Sequence, residues 1–177
     1  MSQIKIIPVN DFPSIYESDL GASYIVDLLF DLAKVIDGDI IVIAQKIISK
    51  IEGRSVKISD VKPSETALQL AKEVNKDPRL VELILSESIR IVRSAPGVLI
   101  VETHHGFICA NAGIDRSNIF GDDIFLKLPE NPDRTAMEIK ERIKSIYGLE
   151  VGVIISDSFN RPWRKGSINV ALGVSGI

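Results

Sequence analysis

The 177-residue sequence predicts an α+β fold, a mixed sheet with at least one antiparallel hairpin, packed by helices. Three observations predict it. Apolar runs at Ile40–Ala44, Val98–Val101, Val151–Ser156 and Ser167–Val174 have strand length and are rich in β-branched residues. Between them lie segments whose apolar residues recur three and four apart, the spacing of a helix with one buried face. The turn His104-His105-Gly106 sits between two apolar runs and sends the chain back antiparallel, which argues against a purely parallel sheet.

In chain order, Ile4–Val9 is expected as a first strand, stopped by Pro8 and the turn-rich Asn10-Asp11-Phe12-Pro13. Leu20–Ile36 places Ile25, Leu28, Leu29, Leu32 and Val35/Ile36 on one helical face. Asp37-Gly38-Asp39 turns the chain into Ile40–Ala44, an uninterrupted apolar run expected as a central strand. Gln45–Gly53 follows directly and carries Lys46, Ser49 and Lys50. That is either a solvated amphipathic turn of helix or ligand-binding groups at a strand end. Pro63–Asn75 and Asp77–Arg93 are expected as a scaffold pair of helices, the second capped by Asp77-Pro78 and carrying Leu80, Leu83/Ile84, Ser88 and Ile91 at helical spacing. Val98–Val101 and Phe107–Cys109 form the predicted hairpin. Ile119–Leu128 is irregular and partly extended. Asn131-Pro132 opens a helix with Ala136, Ile139, Ile143 and Ile146/Tyr147 on its face and Gly148 at its end. The strands Val151–Ser156 and Ser167–Val174 complete a single domain over residues 1–177, with no internal repeat or linker.

Composition narrows the function classes. A net charge of −3 gives no basic field for nucleic acid, and no apolar run is long enough to span a bilayer. The single Cys109 excludes an internal disulfide and fits a reducing cytosol, so a cytoplasmic location is expected. The N-terminus lacks the pattern of a signal peptide. There is neither a P-loop nor a Gly-x-Gly-x-x-Gly dinucleotide motif.

Chemistry concentrates in two stretches, Gly106–Asn118 and Val151–Gly166. Each is a buried-type strand expected to end on an aspartate, Asp115 in the first and Asp157 with Ser158 in the second. Magnesium and manganese take oxygen ligands and sit between carboxylates and substrate phosphates. Arg161, Arg164 and Lys165 could hold the remaining phosphate charge. Each aspartate alone also fits a plain local role, Asp115 in an Asx-turn and Asp157 with Ser158 as a cap pair. His104 and His105 are the only histidines, and ligand spacing for zinc is absent, so they read as turn residues. Cys109, within a short apolar strand, reads as a buried, inert thiol with no histidine partner for nucleophilic chemistry.

The motif Asn111-Ala-Gly-Ile-Asp115-Arg-Ser-Asn118, joined to Ile155-Ser-Asp157-Ser158 and Arg161-Pro-Trp-Arg-Lys-Gly166, resembles the coenzyme F-420:γ-glutamyl ligase family. Phe12-Pro13-Ser14-Ile15 and the stretch from Asp37-Gly-Asp39 through Gln45, Lys46 and Ser49-Lys50 to Glu52-Gly53 match in the same order. The resemblance implies a GTP-dependent ligase that adds L-glutamate to the deazaflavin coenzyme precursor through an acyl phosphate. It implies Asp115, Asp157 and Ser158 as ligands of Mg2+ or Mn2+, with potassium an open addition. It also implies Asn118, Gln45, Lys46, Lys50 and the loop Phe12, Pro13, Ser14, Ile15 as GTP contacts, and a homodimer. Family members continue past Ile177 into a region that closes the fold, so this chain is expected to carry the N-terminal and central part. Two other functions stay open on the residues alone: a fragment that binds nucleotide or deazaflavin without turnover, and a metal-dependent phosphohydrolase.

Overall fold

The structure, a computed structural model, describes residues 4–15, 20–116, 123–160 and 165–177. Its order is α1 (Gly21–Leu32), β1 (Ile40–Ala44), α2 (Gln45–Ile51), β2 (Ser55–Lys57), α3 (Glu65–Val74), α4 (Pro78–Ser86), β3 (Ser88–Ala95), β4 (Val98–Thr103), β5 (Ile108–Ala110), β6 (Ile124–Leu126), α5 (Pro132–Tyr147), β7 (Gly152–Asn160) and β8 (Ser167–Ser175). Helices and mixed sheets with antiparallel strands make this the predicted α+β class.

Two hydrophobic clusters organise these elements. The first lies under the three-stranded sheet β1-β7-β8, in which β1 runs parallel to β7 and β8 antiparallel to it. Alternation along the strands turns Ile43, Val153 and Ile155 inward, where they meet Ile25, Val26 and Leu29 of α1 and Ala136, Ile139 and Ile143 of α5. Burying each large aliphatic side chain contributes roughly 1.5–3 kcal/mol. The second cluster packs Ala67, Leu70 and Val74 of α3 and Val81 and Ile84 of α4 against Leu99 and Val101 of β4. Here β4 is the middle strand of the antiparallel sheet β3-β4-β5. The short pair β2 and β6 lies between them in sequence and is antiparallel.

Local chemistry sets most of the boundaries. Ser64 caps α3 through a bond from the Ala67 amide, Asp77 caps α4 from Arg79, and Asn131 caps α5 from Arg134. Pro78 and Pro132 occupy the first helical positions, where a missing N–H costs nothing. The expected strands at Ile40–Ala44 and Val98–Val101, the hairpin and the helix opened by Asn131-Pro132 are all present.

Several expectations are corrected. Ile4–Val9 forms no strand, for no neighbouring strand pairs with it, and Ile4 and Ile6 are both 89% exposed. The first helix stops at Leu32, leaving Ile36 exposed. β1 is an edge of its sheet among the described residues, with Ile40 and Val42 exposed on the face away from the helices. The helix expected to run to Arg93 ends at Ser86, and Ser88–Ala95 is a strand paired with β4. The Ser86 and Ser88 hydroxyls bond back to the Leu83 and Ile84 carbonyls and satisfy the helix end. Beyond them Ile89, Ile91 and Val92 favour strand. Ile146 and Tyr147 are part-exposed rather than core, and Tyr147 stacks on Phe30. β7 continues past Ser156 to Asn160 because β8 pairs along its whole length.

The approach of α5 to β8 is close enough to demand glycine. A Cβ at Gly173 would fall 2.3 Å from the Pro132 carbonyl carbon, and the neighbouring Val174 amide donates to the Asp133 carboxylate at 2.8 Å. The obstacle is backbone, so it cannot rotate away. We expect Gly173→Ala to destabilise the protein by about 3 kcal/mol, read as a lower urea midpoint at unchanged slope. An unchanged midpoint would show that α5 can shift freely on the sheet.

Candidate functional site

The candidate site lies where the two clusters meet. β5 carries Ile108, Cys109 and Ala110 to its edge. The chain then makes a short turn at Asn111–Gly113, with φ of 53° at Asn111, 55° at Ala112 and 68° at Gly113. Two consecutive non-glycine residues in the left-handed region mark a strained turn. Asp115 follows, and its backbone pairs with Leu126 through Asp115 N–H to Leu126 O at 3.1 Å and Leu126 N–H to Asp115 O at 2.9 Å. From the other cluster β7 brings Asp157, Ser158 and Phe159, and the start of α2 brings Gln45. Together these residues line a cavity of about 300 Å³. Phe159 stands edge-on to Phe107 with ring centroids 5.9 Å apart, an aromatic contact joining β7 to the hairpin.

Electrostatics follow from that placement. Burial pushes the Asp157 carboxyl above its ordinary range, and the Asp115 charge adds to the rise. The Ser158 amide and the Lys46 ammonium oppose it. Lys46, the second residue of α2, forms an ion pair with Asp115. Cys109 is pushed up to about 11, first by burial and then by the nearby Asp157 charge, against a hydrogen bond from the Gly113 amide. Among the described residues the cavity wall therefore carries two carboxylates and a neutral thiol, with the Lys46 ammonium paired to Asp115.

A second set of charges steadies this region. Glu87 accepts from Arg54 at 2.7 Å and pairs with Lys127 at 2.8 Å, while Arg54 Nε donates to the Leu128 carbonyl at 2.9 Å. The Lys127 amide also donates to the Arg54 carbonyl at 3.1 Å. These bonds fix residues 126–128, the segment that carries the backbone partner of Asp115.

Of the residues read from sequence, Gln45, Asp115, Asp157 and Ser158 line one cavity, with Lys46 at Asp115. Gln45 is buried and donates from Nε2 to Ser49 Oγ at 2.7 Å. Asp157 and Ser158 are neighbours on a strand, where successive side chains leave opposite faces. The Ser158 hydroxyl donates to Asn169 Oδ1 on β8 at 2.9 Å, which leaves its own lone pairs open to a cation. Lys50 is part-buried on α2. The loop Phe12, Pro13, Ser14, Ile15 is outside the cavity lining: Ile15 is buried in the first core cluster and Phe12 packs against it. Lys165 is exposed. Asn118, Arg161 and Arg164 lie outside the described residues. His104 and His105 are turn residues, bonded through Nε2 to the carbonyls of Ser86 and of Pro129 and Glu130. Among the described residues no three His, Cys, Asp or Glu side chains cluster as a metal cage, and no helix is long and apolar enough to cross a membrane.

Sequence reasoning missed Phe159, Ile108 and Cys109 as cavity wall, and the pairing of Lys46 with Asp115. Ile108 and Cys109 belong to the three-residue strand β5, a run too short to stand out in the sequence. The ion pair joins positions far apart in sequence, and no local pattern carries it.

Two carboxylates thus line one cavity of an α+β fold, with a lysine paired to one of them. The sequence matches the model of the family F420-0:Gamma-glutamyl ligase over residues 11–177. It is 51% identical over 142 residues to the coenzyme F420:L-glutamate ligase of Methanocaldococcus jannaschii, covering 80% of this chain and 56% of that protein. It is 43% identical over 175 residues to the enzyme of that name from Methanothermobacter thermautotrophicus, covering 98% and 69%. The corresponding protein of Archaeoglobus fulgidus is 35% identical over 175 residues, covering 99% and 68%. The chain belongs to the F420-0:γ-glutamyl ligase family. It spans between about half and two thirds of the length of these relatives.

Two outcomes follow from the charges. The folded Asp157 pKa lies above the unfolded one, so the folded protein holds an extra proton between them. Stability therefore falls as pH rises through that window, and at neutral pH the ionised carboxylate is a liability. In metal-free protein at pH 7 we expect Asp157→Asn to raise the thermal midpoint by about 1–2 °C, a small gain because the carboxyl is part-exposed. The gain should vanish below pH 4, and a loss at pH 7 would overturn this account. The Cys109 thiol, at about 11, should alkylate with iodoacetamide on the order of a hundredfold more slowly than free cysteine at pH 8. Its rate should rise about tenfold per pH unit towards pH 11. A rate that levels off below pH 9 would contradict the burial of the thiol.

Proposed function

We propose that this protein ligates L-glutamate to the deazaflavin coenzyme F420 precursor, using GTP and a divalent metal, in coenzyme F420 biosynthesis. The observation that carries the reading is the meeting of Asp115 and Asp157 in one cavity with Lys46, in a chain of the F420-0:γ-glutamyl ligase family.

The chemistry explains why such a site is needed. An amine does not displace hydroxide from a carboxylate, so a carboxylate oxygen of the precursor first attacks the γ-phosphorus of GTP. The new O–P bond forms as the bond to GDP breaks, giving an acyl phosphate. The glutamate amine then attacks the acyl carbon, loses its proton, and inorganic phosphate leaves. Asp115 and Asp157 are hard-oxygen donors that fit Mg2+ or Mn2+, and Ser158, assigned to the same cation on the motif, also lines that cavity. That cation, when bound, withdraws charge from phosphoryl oxygens. Lys46 supplies a cation beside the same carboxylates to offset phosphate charge, with Lys50 one helical turn further on. Gln45, buried and held by Ser49, offers its carbonyl oxygen as a fixed acceptor at the cavity wall. Asn118, Arg161, Arg164 and Lys165 are assigned phosphate or nucleotide contacts on the motif, and Phe12–Ile15 an outer nucleotide contact. The reading extends to a cytoplasmic homodimer, with potassium as an accessory ion.

The test is calorimetric titration of this chain with GTP, with and without manganese, followed by mass detection of glutamylated product. We expect binding that requires manganese, and Asp157→Ala should weaken it at least a hundredfold with the fold retained. Asp157→Ala protein that binds Mn–GTP as tightly as wild type would rule out the metal assignment. Phosphate release without any need for glutamate would replace ligation with hydrolysis.

A further inference from the structure

Lys46 faces two demands that one ammonium cannot meet at once. In the structure it is ion-paired with the Asp115 carboxylate. In the function proposed above, Asp115 is to hold a divalent cation while Lys46 offsets phosphate charge. The mounting of the two residues shows which parts can move between those arrangements.

Both backbones are fixed. α2 starts at Gln45 with no linker after β1, and Ala44, the last residue of β1, sits opposite Ser156 of β7. Gln45 is buried and bonded to Ser49, which anchors the first turn of α2 from inside. Asp115 is bonded to Leu126 through both its amide and its carbonyl. The side chains are looser. Those of Lys46 and Asp115 are 35% and 40% exposed, and a lysine reaches its partner through a flexible four-carbon stem. Only the ammonium has to swing for the pair to open.

Opening it has a cost that depends on what else is bound. A divalent cation taking Asp115 from Lys46 stands close to a second positive charge whose pair has just been broken, and like charges repel across a half-buried cavity. A phosphate chain relieves that repulsion by accepting the displaced ammonium. We propose that Lys46 is a displaceable counter-ion: it holds Asp115 until a nucleotide phosphate takes its ammonium, so that divalent cation and nucleotide bind as a coupled pair. The role rests on the metal–nucleotide reading of the cavity. It adds a coupling between the two ligands that by linkage acts equally in both directions.

The experiment follows Mn2+ binding through loss of the free-ion EPR signal, with and without GTP, in wild type, Lys46→Gln and Lys46→Arg. Without GTP, we expect Lys46→Gln to bind Mn2+ about fivefold more tightly than wild type, the size of effect expected for a half-exposed ion pair. With GTP, the same variant should bind Mn2+ more weakly than wild type, so the gain that GTP gives shrinks about tenfold or more. Lys46→Arg keeps the charge and should stay within about twofold of wild type for Mn2+ alone. Opposite signs with and without GTP are the signature, since a merely structural lysine would weaken both together. In wild type the nitrogen resonance of the Lys46 ammonium, identified by its loss in Lys46→Gln, should move when Mg2+ and GTP are added. Mn2+–GTP binding by wild type, with no gain for Mn2+ alone in Lys46→Gln or with an unmoved ammonium resonance, would overturn this proposal and leave the functional reading intact. Failure of wild type to bind Mn2+ even with GTP would overturn both.

Discussion

The pairing of β7 between β1 and β8 is the constraint on which the rest depends. It brings residues 40–44 alongside residues 152–156 in parallel register, and parallel neighbours need a long crossover. The crossover here contains the whole second cluster, α3, α4 and the β3-β4-β5 sheet. Once β7 is seated, Gln45 at the end of β1 and Asp157 within β7 are fixed close together, both on rigid elements. The hairpin unit then has to present Asp115 to that pair. The Phe107–Phe159 contact and the Arg54–Glu87–Lys127 cluster are the joints that let it do so.

Those joints differ in kind from the two cores. The cores are aliphatic and would hold their elements with no defined angle between them. Glu87 meets two cations with its side chain only 13% exposed, and such a pair adds direction more than stability, since desolvation offsets much of the attraction. Direction is what the site requires. A small rotation of residues 126–128 would carry the Asp115 backbone with it and open the cavity on one side.

How much of this was legible follows from how local each cause is. The α5 limits could be read because Asn131, Pro132 and Gly148 act within one turn of themselves. β1 could be read as a strand, yet its place at a sheet edge depends on the distant β7 and β8. The strand β3 was hidden because Leu80, Leu83, Ile84 and Ile91 keep helical spacing through a point where Ser86 and Ser88 end the helix by bonding backwards. Ile4–Val9 has strand composition without a strand to pair with. The two aspartates stood out because each follows an apolar run, though Asp157 proves to sit inside its strand. The Lys46–Asp115 pair left no trace in the sequence because it is long-range.

The charges in the cavity bear on the cation proposed for it. Two carboxylates share a space of about 300 Å³, and one of them is already pushed towards its protonated form by burial and by the other. Among the described residues Lys46 partly balances them through its pair with Asp115. A protein selected for stability alone would replace Asp157 with an amide, because an ionised carboxylate in that position weakens the fold at neutral pH. Under the proposed function its retention makes sense, because a bound divalent cation would turn that destabilisation into affinity.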